Sequence, residues 1–166
     1  VFPYTLAWMP VANEILIIGS DQPIRIDFQK LKSRLEEPEV KKALADIEIP
    51  EVFSFLSNLW FLDEQIQALG KGHPLITATR PAIEFYLDLG NVIDVSGREK
   101  YVFNRASFDQ ISKYVENLSE SDRLRLRNHY EAMDLYQRGV MYGNRGQLLK
   151  ALKLNKDNNL VRDRKS

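Results

Sequence analysis

The chain has 166 residues, of which 23 are basic and 23 are acidic, so its formal net charge is zero. This balance gives no overall attraction to nucleic acid or to a membrane surface. Because the chain contains no cysteine, disulfides and thiolate zinc sites are excluded. No apolar run approaches the roughly 20 residues that a membrane-spanning helix needs. We expect a cytoplasmic protein with one medium domain, or with a small domain and a helical extension.

The opening of the chain has the pattern of a β-hairpin. A run over residues 2–9 is followed by a turn signal at residues 10–13 and by a continuous apolar run from Ile15 to Ile18. Such a β-branched run is typical of a strand covered on both faces. Since two strands do not form a stable sheet alone, the hairpin either completes a sheet whose other strands lie elsewhere or pairs with a strand near residues 83–87. The pattern begins at once at Val1, so we expect a fragment of a longer protein.

Short helices are predicted to follow the hairpin. Asp27 is a candidate N-cap for the first, and Pro38 suits the first turn of the second. Pro50 opens the third, whose apolar residues continue to Trp60 and cover most of its circumference, so it should be buried. Asp63 begins a fourth helix, and two glycines close it.

The second half of the chain is predicted to be helical after an irregular connecting segment. Residues 90–106 form this connection and contain glycines and a charged patch. Ser107 should cap a helix that extends through Leu118. A long helical pattern begins at Ser119, and residues 147–155 have the pattern of a last helix.

The stretch around Pro81 contains the best polar candidates for a binding site. Pro81 disfavours a helical conformation at Arg80, and the apolar residues Ile83 and Phe85 then alternate as in a short strand. Arg80 and Glu84 could be a guanidinium and a carboxylate that line a ligand pocket at the sheet edge. An internal ion pair or cap that holds the Pro81 turn is favoured, because structural ion pairs are common.

Three features in the same order resemble spermidine synthase-like proteins. They are the hairpin at residues 1–20, the acidic-Pro step at residues 36–38 and the segment at residues 74–85. The resemblance covers about residues 1–88 and is nearest to the large bacterial forms, which are often fused to membrane segments. At Ala78-Thr79 the family pattern has two aspartates, so this chain lacks acids that could hold a cation or a loop.

The resemblance implies the last strands of a Rossmann-like methyltransferase sheet, followed by a helical subdomain. Active members of the family transfer an aminopropyl group from decarboxylated S-adenosylmethionine to a polyamine. The cofactor loop, the ribose-binding acid and the catalytic acid would all lie upstream. We therefore expect no cofactor in this fragment, and decarboxylated S-adenosylmethionine or S-adenosylmethionine in the parent protein.

The end of the chain is similar to part of a tetratricopeptide repeat. Because a single repeat cannot bury its own face, we expect either a helical hairpin that packs on the domain or the opening of a longer array. The residues at the matching spacing are Leu135, Gly139, Tyr142, Gly146 and Ala151.

Two further groups of residues have a functional and a structural interpretation. Asp63 and Glu64 could form a paired-acid site, although acids in the first turn of a helix are expected from the helix dipole alone. The aromatic residues Trp8, Trp60 and Phe61 could line an apolar groove, but core positions are favoured.

The histidines and the basic tail are weaker candidates. His73 and His129 are too few and too far apart in sequence to favour a metal site. The basic residues of the last helix and tail could contact nucleic acid, but a solvated helix face is favoured because no aromatic residues interleave with them. These residues are Lys150, Lys153, Lys156, Arg162, Arg164 and Lys165.

Together these patterns predict an α+β, mostly helical fold. Residues 1–89 would form the hairpin and a helical cap, residues 90–106 a linker, and residues 107–166 a helical extension. The fragment would complete a nucleoside-cofactor-binding domain without being catalytic itself. The alternative is a helical protein-interaction module. Expected partners are the rest of the parent chain and, through the C-terminal helices, a second copy or another protein. No nucleic acid is expected, and a membrane only if the parent is fused to one.

Overall fold

The computed structural model describes residues 2–11, 14–47, 49, 51–71 and 104–155. They form an α+β fold that is mostly helical, as the sequence predicted. The strands are β1 (Tyr4–Val11), β2 (Glu14–Ser20), β3 (Ile26–Asp27), β4 (Leu59–Leu62) and β5 (Val115–Glu116). The helices are α1 (Phe28–Leu35), α2 (Pro38–Asp46), α3 (Val52–Ser57), α4 (Asp63–Gly70), α5 (Phe108–Ile111), α6 (Glu120–Met141) and α7 (Arg145–Leu154), with a 3₁₀ turn at Ser112–Tyr114.

Strand β1 is the centre of an antiparallel sheet with the strand order β2-β1-β4. Leu6 on β1 lies opposite Ile18 on β2 and Leu62 on β4. The register is irregular beside Trp8 in both pairings, which marks a local bulge. The predicted hairpin is confirmed. The third strand of the sheet, β4, comes from a part of the chain that was predicted to be helical.

Strand β4 corrects the prediction that the third helix continues to Trp60. Helix α3 ends at Ser57, and the carbonyl of Asn58 accepts a hydrogen bond from the N–H of Met9 at 2.8 Å. The buried Asn58 side chain also donates to the carbonyl of Ser54 at 3.0 Å, which closes the helix. Periodicity cannot distinguish helix from strand in a short apolar run, and here pairing with β1 decides.

The alternating side chains of β1 enter two separate cores. Leu6 and Trp8 belong to the first, whereas Ala7 and Met9 belong to the second. The other buried members of the first core are Phe28, Leu35, Ile49, Val52, Phe53, Leu56, Leu59, Leu62, Ala106, Phe108, Ile111, Val115, Leu126 and Tyr130. The other buried members of the second core are Trp60, Phe61, Met133, Tyr136 and Ala151.

The long helix α6 connects these two cores. It begins after Ser119, where the long helical pattern was predicted to start, and the Ser119 hydroxyl accepts a hydrogen bond from the N–H of Asp122, the third residue of the helix. Its first half contributes Leu126 and Tyr130 to the first core, and its second half contributes Met133 and Tyr136 to the second. A single helix of 22 residues therefore fixes the position of one core relative to the other.

Helix α7 folds back on α6 in a tight hairpin. Gly143 has φ +60° in the turn, a conformation that glycine adopts without strain. A Cβ atom at Gly139 would lie 2.7 Å from Cδ2 of Leu148, so a glycine is needed where the two helices approach each other. Ala151 is fully buried in the second core. The predicted helical hairpin is confirmed, and it packs on the domain.

Local capping residues were predicted more accurately than helix lengths. The Asp27 carboxylate accepts a hydrogen bond from the first turn of α1, and Ser107 caps α5 as predicted. Helix α5 ends at Ile111 instead of extending through Leu118, however. Its continuation forms β5, in which Val115 pairs in parallel with Ile26.

The segments on either side of the predicted linker share a core. Residues 90–106 lie mostly outside the described part of the chain, but Ala106 donates its N–H to the carbonyl of Trp60 at 2.9 Å. The first core contains both Leu6, from the predicted cap, and Leu126, from the predicted extension. The two segments therefore depend on each other for burial.

Replacing Leu126 by alanine should lower the free energy of unfolding by about 2–5 kcal/mol, since it leaves a cavity in the first core. Leu124 on the same helix is 60% exposed and supplies the control. Leu124→Ala should change the free energy by no more than about 0.5 kcal/mol. Urea denaturation of both variants measures the difference, and equal effects would contradict the described packing of α6.

Candidate functional site

Strand β2 has an open edge. It pairs with β1 on one side, and among the described residues no strand pairs with its other side. Backbone N–H and C=O groups along such an edge are available to a further strand. The side chains of β2 are also exposed, with exposed fractions of 46% for Ile15, 56% for Leu16, 61% for Ile17 and 42% for Ile18.

Both faces of β2 are apolar and about half exposed. Ile18 lies opposite Leu6, whose side chain is buried in the first core, and Leu16 shares the face of Ile18. Ile17 lies opposite Ala7, whose side chain is buried in the second core. The sequence predicted a strand covered on both faces. The helices of the described residues instead cover β1 and leave the side chains of β2 exposed on both faces.

An apolar strand that is open on both faces is a site for association. Scattered exposed apolar residues are ordinary in proteins, whereas contiguous exposed apolar surface marks an interaction surface. The extent of the exposed run, four consecutive large aliphatic residues, makes β2 the strongest candidate for a functional surface among the described residues.

The sequence-predicted binding residues cannot be placed on this surface. Arg80, Glu84 and His73 lie outside the described residues. The alternatives for Arg80 and Glu84, a ligand pocket or an internal ion pair, therefore remain predictions.

Asp63 connects α4 to the sheet. Its carboxylate accepts hydrogen bonds from the backbone N–H of Thr5 and from the Thr5 hydroxyl, the second at 2.9 Å. Its neighbour Glu64 is exposed. Asp63 therefore holds the start of α4 against β1, which is a structural role.

The aromatic candidates are core residues, as favoured from the sequence. Trp60 and Phe61 are almost fully buried, and Trp8 is buried as well. The indole N–H of Trp8 donates to the carbonyl of Phe55 at 2.8 Å, and the two rings lie 4.9 Å apart. This pair fixes α3 against β1.

A partly buried cation, which sequence reasoning missed, lies between β4 and α6. The guanidinium carbon of Arg105 lies 4.2 Å from the ring centre of Trp60 and 3.6 Å from that of Tyr130. Its terminal nitrogens donate to the carbonyls of Tyr130 at 3.1 Å and Ser57 at 2.5 Å. Arg105 falls at the end of the predicted linker, and no local pattern distinguishes it.

The environment of Arg105 shifts two pKa values. Burial lowers the pKa of Arg105, although arginine remains charged because its ordinary pKa is far above neutral. Burial also raises the pKa of Tyr130, whose hydroxyl donates to the carbonyl of Ala106. Cation–π contact with two rings compensates part of the loss of hydration.

An open cavity of about 490 Å³ lies beside this stack. Arg105, Asp134 and Arg138 are the charged residues of its wall that also contact protein groups, and Asp134 and Arg138 form an ion pair at 2.8 Å. The guanidinium of Arg105 donates to two backbone carbonyls. The bonds of Arg105, Asp134 and Arg138 to protein atoms indicate a structural role for these three residues, and Glu131, the fourth charged residue of the wall, is exposed.

His129 belongs to a second polar group, at the start of α3. Its Nε2 atom lies 3.4 Å from Oε1 of Glu51, while Arg125 donates to the other carboxylate oxygen at 2.7 Å. Arg125 and His129 are four residues apart and so share one face of α6. Glu51 therefore connects α3 to α6 through both side chains.

The described residues contain neither a cluster of metal-ligating side chains nor a helix that could span a membrane. No group of three or more histidine, cysteine, aspartate or glutamate residues that could hold a metal ion occurs in this part of the chain. Nor is any helix there long and apolar enough to cross a bilayer.

The chain matches no family model, no curated protein and no solved structure. Its function must therefore be argued from the geometry of β2 and from the sequence pattern.

Arg105→Met should lower the free energy of unfolding by about 2–4 kcal/mol, because the carbonyls of Ser57 and Tyr130 lose a charged donor. Arg127→Met is the matched control, since Arg127 also lies over an aromatic ring but is about half exposed. It should change the free energy by about 0.5 kcal/mol or less. Urea denaturation measures both, and a small effect of Arg105→Met would contradict a structural role for the stack.

Proposed function

We propose that this chain is the closing part of a spermidine synthase-like protein, in which β2 joins the free edge of a nucleoside-cofactor-binding sheet. The observation that carries the proposal is the exposure of β2 on its open edge and on both faces. An apolar strand of this kind is typical of the interior of an α/β sheet. The order of the three sequence features that resemble the family supports the same assignment.

The energetics of β2 support sheet completion. Full burial of a large aliphatic side chain stabilises a protein by about 1.5–3 kcal/mol. Four such side chains on β2 are about half exposed. Covering them contributes on the order of 4 kcal/mol, in addition to the backbone hydrogen bonds of the new strand pair.

In this proposal the chain completes the fold of the parent protein, and the residues upstream of it perform the catalysis. The parent is an aminopropyltransferase-like transferase that uses decarboxylated S-adenosylmethionine or S-adenosylmethionine, and the groups that bind this cofactor precede residue 1. The helices of this chain cap the end of the sheet. The parent acts in the cytoplasm or, if it is fused to membrane segments, at a membrane.

The second candidate function is a helical protein-interaction module. The hairpin of α6 and α7 supports it, because several large apolar side chains near the turn and along α7 are exposed. These are Val140, Tyr142, Leu149 and Leu154.

Hydrogen exchange of the full-length gene product, compared with the isolated 166-residue chain, tests the proposal. We expect the amides of residues 14–20 to exchange at least about tenfold more slowly in the full-length product, because a second strand then pairs with β2. Titration calorimetry of the full-length product with decarboxylated S-adenosylmethionine and with S-adenosylmethionine should detect binding of at least one, and the isolated chain should bind neither.

Equal exchange at residues 14–20 in both proteins would contradict sheet completion. Slow exchange confined to residues 145–154 in the presence of another protein would favour the helical interaction module. Clear binding of either nucleoside by the isolated chain would contradict the placement of the cofactor site upstream.

A further inference from the structure

We infer that the outer face of α7 docks on an anionic membrane surface, where its exposed leucines enter the apolar boundary of the bilayer and its basic side chains contact the lipid headgroups. Strand β2 plays no part in this docking, which goes beyond the proposed function. Charge is unevenly distributed along the chain. Residues 135–166 contain eight basic and two acidic residues, whereas residues 1–134 contain 15 basic and 21 acidic ones. A neutral chain that ends in a basic segment has a charge asymmetry that favours binding to an anionic surface.

Helix α7 carries part of this positive charge and contains no acidic residue. Its three basic residues, Arg145, Lys150 and Lys153, are exposed. No ion pair within the described residues involves them, whereas Arg125 and Arg138 of α6 each pair with an acid. Helix stability does not explain the pattern, because the helix dipole favours acids in the first turn and α7 begins with Arg145. The cations of α7 are therefore available to an anionic partner.

The outer face of α7 is also apolar. A surface helix ordinarily has polar residues opposite its buried stripe. The inner side of α7 packs on the second core, yet Leu149 and Leu154 on the outer side are 43% and 39% exposed. Residues four positions apart are neighbours on a helix, so Leu149 lies between Arg145 and Lys153. Leu154 lies beside Lys150 in the same way. Exposed leucines and unpaired cations thus alternate on one surface.

A membrane surface accommodates both kinds of side chain. A basic amphipathic helix lies in the plane of the interface, with its apolar residues at the boundary between headgroups and acyl chains. Lysine and arginine keep their charge in the headgroup layer while their apolar stems pass neighbouring leucines. Tyr142, which is 45% exposed in the turn before α7, has the apolar ring and the polar hydroxyl that suit this boundary.

Other anionic partners accommodate only part of this surface. A nucleic acid contacts cations through its phosphates and leaves the exposed leucines without apolar cover. An acidic protein segment needs carboxylates and apolar side chains at positions that match those of α7. Lipids rearrange around the side chains, so a membrane needs no such match. The combination of leucines and cations therefore favours lipid over nucleic acid or protein.

A single thiol on each of two surfaces tests the docking, because the chain has no cysteine of its own. Leu149→Cys places the thiol on the outer face of α7, and Leu124→Cys, at a 60% exposed position of α6, is the matched control. In the free chain we expect a polarity-sensitive maleimide fluorophore to label both at rates within about threefold. Vesicles of phosphatidylcholine with about one third phosphatidylglycerol should shift the emission of the label on α7 to shorter wavelength and leave that on α6 unchanged.

Two outcomes of this labelling would contradict the docking. A thiol at Leu149→Cys that does not react in the free, folded chain would mean that another segment of this chain, such as residues 72–103 or 156–166, covers the face. An emission that does not change with vesicles would mean that the face stays in water.

Charge removal tests the contribution of the cations. Lys150→Gln combined with Lys153→Gln should weaken vesicle binding at least about tenfold, since each basic residue near an anionic membrane contributes about fivefold. Lys30→Gln combined with Lys32→Gln removes the same charge from exposed positions of α1 and should change binding by less than about twofold. Cosedimentation with the vesicles measures both pairs, and the midpoint of urea denaturation should stay unchanged in each variant.

Equal losses from the two lysine pairs would contradict docking through α7, and equal binding to pure phosphatidylcholine vesicles would exclude a role for the cations. Tighter binding of duplex DNA or of polyglutamate than of the anionic vesicles would overturn the inference in favour of a nucleic acid or an acidic protein. None of these measurements depends on β2 or on nucleoside binding, so membrane docking and the proposed function can fail separately.

Discussion

The packing of strand β1 between two cores is the constraint on which the rest of the structure depends. Its even-numbered residues Leu6 and Trp8 face one core, and its odd-numbered residues Ala7 and Met9 face the other. A strand with both faces buried must be apolar throughout and must be covered by elements from both sides. The helices α3, α6 and α7 are positioned by this requirement, and α6 is long enough to contribute to both cores.

The same constraint explains the contrast between β1 and β2. The hairpin brings β2 into register with β1, so its side chains alternate between the same two faces. The covering layers do not extend that far, and β2 presents to solvent the kind of residues that β1 buries. The described part of the chain thus covers β1 and leaves β2 open, and this asymmetry supports the proposed role as the closing part of a larger sheet.

Features set by local chemistry were predictable from the sequence. The N-caps Asp27 and Ser107 act within one helical turn, and residue type is enough to identify them. Features that depend on partners far away in the sequence were not predictable. The run Leu59–Leu62 has no alternation that separates strand from helix, and its pairing with β1 depends on residues about 50 positions earlier. The Arg105 stack was not predicted for the same reason, because its aromatic rings come from β4 and α6.

The sequence predicted the apolar composition of β2 but not its exposure. The apolar run from Ile15 to Ile18 predicted a strand built for burial, and β2 has that strand pattern. Whether such a strand is covered depends on where the neighbouring layers end, which one-dimensional periodicity does not contain. The side chains of Arg80 and Glu84 lie beyond the described residues, so the polar part of the sequence prediction stays a prediction.

The small parallel pair of β3 and β5 has a consequence for how the molecule is assembled. It joins Ile26 to Val115 and Asp27 to Glu116, so it closes a loop of about 90 residues. During synthesis, Phe28 leaves the ribosome long before Ile111 and Leu126, which belong to the same core. The first core can therefore close only after most of the chain has been translated, and such long-range contacts favour slow folding.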